Sequence, residues 1–163
     1  MSVISPSSID KNNDLLCTSK GFFNDDKRVY LKLMNVNVMF AGDNKKFESD
    51  PSKVKKYIKF VPSVAADYKL LQSIGDFNNS KNKWIDDTNI VTAYINDYTK
   101  FYDKDNNELS NVKLIDLKDG VVDVILSGSV FKNKFGTFER LTVRQLRIIE
   151  KTDRQSMFDS CLF

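Results

Sequence analysis

Histidine is absent from this sequence, and cysteine is scarce. None of the 163 residues is histidine, so the side chain that most often serves as a general base or a transition-metal ligand is missing. The two cysteines, Cys17 and Cys161, lie near opposite ends of the chain and leave a zinc site without ligands. We therefore expect two reduced thiols, no histidine-based catalysis, no metal and no cofactor.

Long apolar runs are also absent. No run approaches the roughly 18 apolar residues that a membrane-spanning helix requires. The opening residues, MSVISPSSIDKNND, have neither the basic start nor the apolar centre of a secretory signal. These absences predict an intracellular protein that does not insert into membranes.

No group of residues indicates an enzyme. The glycine-rich loops that cradle phosphates do not occur in the sequence. The segment 103–107 begins like a calcium-binding loop, but Glu108 and Leu114 stand where that loop needs glycine and a bidentate glutamate. Nothing distinguishes the remaining acidic pairs from solvated loop charges. We predict that the protein has no catalytic residues, and carboxylate chemistry is the least favoured alternative.

Positive charge is concentrated near the end of the chain. The formal net charge is +3, whereas residues 132–154 contain seven Lys or Arg against three Asp or Glu, an excess of four. The rest of the chain is therefore slightly acidic. A local basic segment of this kind permits a polyanionic partner without requiring one.

Apolar periodicity predicts a mainly β protein with one main α-helix. The helix is expected at 63–77, where apolar residues recur every three to four positions. Strands are expected at 29–41, 54–61, 89–102, 112–117, 121–130 and 141–149. We predict a mobile N-terminal arm at 1–20, one small antiparallel β-barrel domain at 21–150 and a tail at 151–163.

Three predicted strands have two distinct faces. In the first, Phe40 shares the period of Val36 and Val38 and is expected to be buried with them. Tyr57 in the strand at 54–61 and Tyr94 in the strand at 89–102 lie on the face opposite the apolar residues of their strand. Lys59 shares the face of Tyr57. Aromatic rings on strands usually pack against neighbouring side chains. Alternatively, these rings are open to a ligand with flat faces.

A hairpin tip separates the last two predicted strands. Residues 131–138, FKNKFGTF, interleave two lysines with three phenylalanines around Gly136, which permits the turn. This composition suits single-stranded nucleic acid, because lysines meet phosphates and aromatic rings stack on bases. The alternative is that the phenylalanines fold back onto the core of the barrel.

In the last predicted strand the apolar residues change from one face to the other halfway along, since Leu141 and Val143 have odd numbers and Leu146 and Ile148 even ones. A β-bulge near Gln145 would restore one buried face along 141–149. The same bulge would aim Arg144 and Arg147 outward together, where both could contact phosphates.

The segment 128–149, GSVFKNKFGTFERLTVRQLRII, resembles the closing strands of OB-fold single-stranded DNA-binding proteins of the phage and viral replication type. With the aromatic-rich strands before it, the resemblance spans 29–150. It implies an OB-like barrel that binds single-stranded DNA, or RNA as the less favoured ligand, in the cytoplasm of a host cell.

The C-terminal tail shares only part of the pattern of such proteins. Many of them end in an acidic segment with a terminal phenylalanine that recruits replication proteins. This chain ends in Phe163, but Lys151 and Arg154 offset the acidic residues Asp153 and Asp159. The resemblance implies recruitment of replication proteins through the tail, whereas the charge does not support it.

These observations together predict non-catalytic binding of single-stranded nucleic acid by aromatic stacking and phosphate contacts. The alternative is a structural or protein–protein interaction component, such as a virion or assembly protein, that binds no nucleic acid. The predicted binding residues are Tyr57, Lys59, Trp84, Tyr94, Phe131, Lys132, Lys134, Phe135, Phe138, Arg140, Arg144 and Arg147.

Overall fold

The computed structural model describes residues 2–8, 15–46, 48–78 and 83–150. These residues are mainly in strands and include one α-helix, as predicted. The elements are β1 (Val3–Ile4), β2 (Leu16–Thr18), β3 (Gly21–Asn24), β4 (Lys27–Asp43), β5 (Lys56–Val61), α1 (Ala65–Asn78), β6 (Val91–Ile95), β7 (Lys100–Tyr102), β8 (Glu108–Leu109), β9 (Val121–Asn133) and β10 (Gly136–Glu150).

Five of the strands close into a barrel in the order β4–β5–β6–β10–β9, with β9 returning to β4. Four of the pairings are antiparallel, and β6 pairs with β10 in parallel. Because β4 has 17 residues, its first part pairs with β9 and its last part with β5. The architecture confirms the prediction of an OB-like barrel.

The barrel core follows the alternation of the strands. Ile58 and Phe60 of β5 are fully buried, whereas Lys59 between them is exposed. On β10 the register shifts between Val143 and Gln145, so Arg144 is an extra residue in the strand. This bulge confirms the predicted one. It places Leu141, Val143, Leu146 and Ile148 on a single buried face.

The predicted helix is confirmed and differs from its expected bounds by two residues at the start and one at the end. It connects β5 to β6, and Leu71 and Ile74 are the buried apolar residues of 65–74, the part whose side chains are described. Val64 precedes the helix and is 50% exposed. Among the described residues, no helix has the length and apolar character to cross a membrane.

The single strand predicted at 89–102 is wrong, because the chain turns between β6 and β7. The Asn96 side chain accepts a hydrogen bond from the backbone N–H of Tyr98 at 2.9 Å, and the Thr99 hydroxyl accepts one from the N–H of Asn96 at 3.1 Å. Side-chain bonds of this kind replace ladder pairing and favour a turn. The strand therefore divides into Val91–Ile95 and Lys100–Tyr102.

The strand predicted at 112–117 is also wrong. Leu114–Leu117 form a 3-10 turn, in which the N–H of Asp116 donates to the carbonyl of Lys113 at 3.1 Å. Asn111 and Asp119 on either side have positive φ angles of 60° and 64°. These left-handed residues end any extended run, and the turn buries Leu117.

Described parts of the predicted N-terminal arm pair with the rest of the protein. β1 pairs in parallel with β4, joining Val3 to Tyr30 and Ile4 to Leu31. β2 pairs with β3. The domain boundaries remain predictions, and the whole predicted tail, 151–163, lies outside the described residues.

Candidate nucleic-acid interface

Three aromatic rings form a row across the outer face of the barrel. Tyr57 of β5 and Tyr94 of β6 are register partners, and their ring centroids are 6.3 Å apart. The Phe40 ring lies 5.2 Å from the Tyr57 ring and covers Gly42, where a Cβ would come within 3.1 Å of it. We call Phe40, Tyr57 and Tyr94 the aromatic row. It spans three adjacent strands.

Phe40 joins this row because the pairing of β4 with β5 is irregular. The register with β5 shifts between Val38 and Phe40. The shift turns Phe40 outward, to 36% exposure, while Val36 and Val38 stay buried. The prediction that Phe40 is buried is therefore wrong. This register shift could not be recognised in the sequence, because Val36, Val38 and Phe40 occupy alternate positions as they would in a regular strand.

Three cations surround the two tyrosines. The Arg140 guanidinium lies 4.5 Å from the centroid of the Tyr94 ring, and Lys55 Nζ lies 5.8 Å from it. Lys59 Nζ lies 6.0 Å from the Tyr57 ring. At these distances the cations are attracted to the ring faces. The row is therefore an aromatic platform with three cations close to its rings.

A pocket of about 320 Å³ adjoins Tyr94. Its walls include Lys55, Arg140 and Thr142, and Asp97 is the acidic residue among them. The pocket places polar and charged groups beside an aromatic face. This combination suits a flat heterocycle linked to an anionic group.

The β9–β10 hairpin has the tight turn that the sequence predicts. Gly136, with φ of +133°, pairs with Asn133, whose side chain accepts the N–H of Phe135 at 2.8 Å. Phe131 and Phe138 are register partners with stacked rings 5.6 Å apart. These two rings cover each other rather than entering the barrel core.

The hairpin tip presents a ring and two lysines to solvent. Phe135 is 64% exposed, and Lys134 Nζ lies 5.0 Å from its ring. Lys132 is exposed on the adjoining part of β9. Phe138 lies two residues before Arg140, so both side chains belong to the same face of β10. The hairpin therefore extends the surface on which the aromatic row lies.

Trp84 is a correction to the predicted site. It is 2% exposed, lies edge-on to Phe22 at 5.9 Å, and donates its indole N–H to the carbonyl of Leu71 at 2.9 Å. Its backbone N–H donates to Glu139 Oε1 at 2.9 Å. A ring enclosed between helix and barrel cannot stack on a base, so the prediction for Trp84 is wrong.

Arg147 is half-buried and is held in place by three hydrogen bonds. Its Nε and Nη2 donate to Asp123 Oδ2 at 2.9 and 2.6 Å, and its Nη1 donates to Asn106 Oδ1 at 2.9 Å. Asp123, which is 4% exposed, also accepts the backbone N–H of Asn35 at 2.8 Å. This arrangement ties together β4, β9, β10 and the β7–β8 turn. It differs from the predicted phosphate contact.

The structure brings together part of the predicted set. Tyr57, Lys59, Tyr94 and Arg140 share one face, formed largely by the second and third strands of the barrel. The hairpin joins β9 to β10, which are the fourth and fifth barrel strands in chain order. In OB-folds, the face of the second and third strands and the loop between the fourth and fifth are common sites for oligonucleotides. Arg144 lies elsewhere, 5.7 Å from the Tyr30 ring.

Comparison with protein-family models and with curated proteins finds no match for this sequence. Solved structures do match. The single-stranded DNA-binding protein from bacteriophage Enc34 in complex with ssDNA aligns with a TM-score of 0.60 and 12% identity, covering 86% of this chain and 97% of that chain. The single-stranded DNA-binding protein gp2.5 encoded by bacteriophage T7 aligns with a TM-score of 0.53 and 10% identity, covering 80% and 93%. The chain therefore has the fold of phage single-stranded DNA-binding proteins.

Proposed function

We propose that this protein binds single-stranded DNA, without catalysis and with little dependence on base sequence. Bases stack on Tyr57 and Tyr94, while Lys55, Lys59 and Arg140 contact the phosphates. Stacking of this kind is worth about 1–3 kcal/mol per base and tolerates any sequence, because every base has a π-face.

The observation that carries this proposal is the aromatic row with its three cations. One surface offers both interactions that a single strand needs, flat apolar faces for bases and positive charge for phosphates. The shared fold supports the proposal, because the similar structures are named as single-stranded DNA-binding proteins and one was solved with ssDNA.

The hairpin supplies a second group of contacts. Lys132 and Lys134 contact phosphates, and the exposed Phe135 ring stacks on a base as the strand leaves the aromatic row. Phe131 and Phe138 support this tip by packing on each other and offer the edges of their rings. The hairpin acts as an arm that holds the strand against the barrel.

The same comparison supports a proposal for the setting of this activity. We propose that the protein protects or organises single-stranded DNA during phage or viral replication inside a host cell. Docking of replication proteins on the C-terminal tail remains a prediction from the resemblance.

Fluorescence anisotropy of labelled oligothymidylate and oligouridylate, each at about 50 and 200 mM salt, tests the proposal. We expect tighter binding of the DNA strand and a steep loss of affinity as salt rises, since each phosphate contact contributes about −0.7 to the slope of log K against log salt. A folded protein that binds neither strand at low salt would contradict the proposal. That result would favour the structural or protein-interaction alternative.

A further inference from the structure

A second cluster of tyrosine and arginine lies on the outer surface of β4. The Tyr30 ring has the Arg28 guanidinium 5.6 Å from its centroid and the Arg144 guanidinium 5.7 Å from it. Arg144 reaches this ring because it is the extra residue of the β10 bulge. We call Arg28, Tyr30 and Arg144 the Tyr30 cluster. It repeats the combination of ring and guanidinium found at Tyr94.

The register of the barrel connects this cluster to the aromatic row. Tyr94 pairs with Thr142 of β10, and Thr142 pairs with Ser127 of β9. Leu31 of β4 pairs with Leu126 of β9, which puts Tyr30 on the rung of Ser127. Three strand spacings of about 4.8 Å therefore separate the two tyrosines, a distance of about 14 Å across the surface.

Small polar side chains occupy the space between the two tyrosines. Ser127 and Thr142 each lie between buried neighbours, so their hydroxyls face outward. Arg140 and Arg144 lie two residues before and after Thr142 on β10. The surface between the rings is thus low and polar, with a guanidinium on each side of it.

We propose that a DNA strand bound on the aromatic row continues across β10 and β9 to the Tyr30 cluster, where a further base stacks on Tyr30 and phosphates meet Arg28 and Arg144. This inference rests on the proposed function and extends it to a second contact surface. The path curves around the barrel. A single strand can follow it, whereas a duplex is stiff over about 150 base pairs.

The inference predicts a binding site that depends on strand length. Short strands fill the aromatic row alone, and longer strands also reach the Tyr30 cluster. Oligothymidylates of about 4 to 16 nucleotides cover the range of site sizes known for OB-folds. The experiment measures their affinities for the wild-type protein, for a Tyr30→Ala/Arg144→Ala variant and for a Lys118→Ala control.

We expect the double variant to bind the longest strand about tenfold or more weakly than the wild type and the shortest strand equally well. Its salt slope for the longest strand should fall by about 0.7 for each phosphate that the variant no longer neutralises. Lys118 is exposed at the end of the 3-10 turn and belongs to neither the aromatic row nor the Tyr30 cluster. Lys118→Ala removes the same charge as Arg144→Ala, so it should change neither affinity nor slope.

Two other outcomes are distinguishable. If the wild type binds and Tyr94→Ala weakens binding, but the double variant binds every length as the wild type does, the Tyr30 cluster is not a contact surface. If the wild type binds no strand of any length, the proposed function fails together with this inference. Circular dichroism checks the fold. If Tyr30→Ala disturbs it, Arg28→Ala/Arg144→Ala gives the same comparison with both substitutions at the surface.

Discussion

Tyr57 and Tyr94 face each other across β5 and β6, with ring centroids 6.3 Å apart on the solvent side of the barrel. A cross-strand aromatic pair contributes about 0.5–1.5 kcal/mol beyond the area that it buries. Because both rings are already in contact, they lose little conformational freedom when a base stacks on them. A platform ordered before binding gives a higher affinity than one that must form on binding.

Replacing Tyr94 by alanine removes the centre of this platform. We expect Tyr94→Ala to weaken binding of oligothymidylate by about 1–3 kcal/mol, the range measured for base–aromatic stacking. Tyr94→Phe should bind as the wild type does, because stacking uses the ring and not the hydroxyl. Anisotropy titrations of both variants provide the comparison. An equal loss in both would assign the role to the hydroxyl instead.

Reversing the charge of the hairpin tip tests its part in binding. Lys132→Glu/Lys134→Glu should lower the affinity at low salt and reduce the salt slope by about 1.4, or about 0.7 for each phosphate contact. Lys113→Glu/Lys118→Glu makes the same change in net charge on exposed lysines around the 3-10 turn. If both double variants lose affinity equally, net charge rather than the hairpin governs binding.

Arg140 and Arg147 lie on the same strand and should behave differently. Arg147→Ala leaves the buried Asp123 carboxylate without its cation, so we expect a loss of about 3 kcal/mol in the free energy of unfolding. This is the lower end of the range for buried pairs, because the Arg147 side chain keeps 27% exposure. Arg140→Ala should preserve stability and weaken DNA binding. Urea unfolding and anisotropy separate the two effects, and the reverse pattern would restore Arg147 as a phosphate contact.

Asp67, near the start of α1, should make stability depend on pH. It is 4% exposed, and burial raises the pKa of its carboxyl from 3.8 to about 6. The folded protein therefore holds this proton more tightly than the unfolded chain does. The resulting stabilisation is fully present below pH 3.8 and is lost as the pH rises through about 6.

Asp67→Asn removes this titration. The stability of the variant relative to the wild type should increase by about 2 kcal/mol between pH 4 and pH 7.5, given 1.36 kcal/mol for each pKa unit. Urea unfolding at the two pH values measures it, and the other titrating groups are common to both proteins. A constant difference would show that Asp67 has an ordinary pKa in the folded protein.

Much of the fold and part of the candidate site could be predicted from the alternation of apolar and polar residues within single strands. In β5, Tyr57 and Lys59 alternate with the buried residues Ile58 and Phe60, and the outward direction of Tyr57 follows from that period. The bulge near Gln145 could be predicted because the apolar phase visibly changes. Both features are local, so neighbouring residues alone specify them.

Features that depend on distant partners could not be predicted in this way. Phe40 turns outward because of a register shift against β5, and Trp84 is buried because Phe22 and Leu71 lie beside it. The pairing of Arg147 with Asp123 joins residues 24 positions apart on neighbouring strands. In each case the sequence shows a suitable side chain, whereas the strand pairing decides which role it takes.

The most direct test of the central claim is to locate the DNA on the protein. At 18.7 kDa, the chain is suited to mapping by chemical-shift changes during titration with a short oligothymidylate. We expect the largest changes at Tyr57, Tyr94 and Arg140, with smaller ones at the hairpin tip. Changes confined to the opposite side of the barrel, or an absence of changes at saturating DNA, would contradict the account.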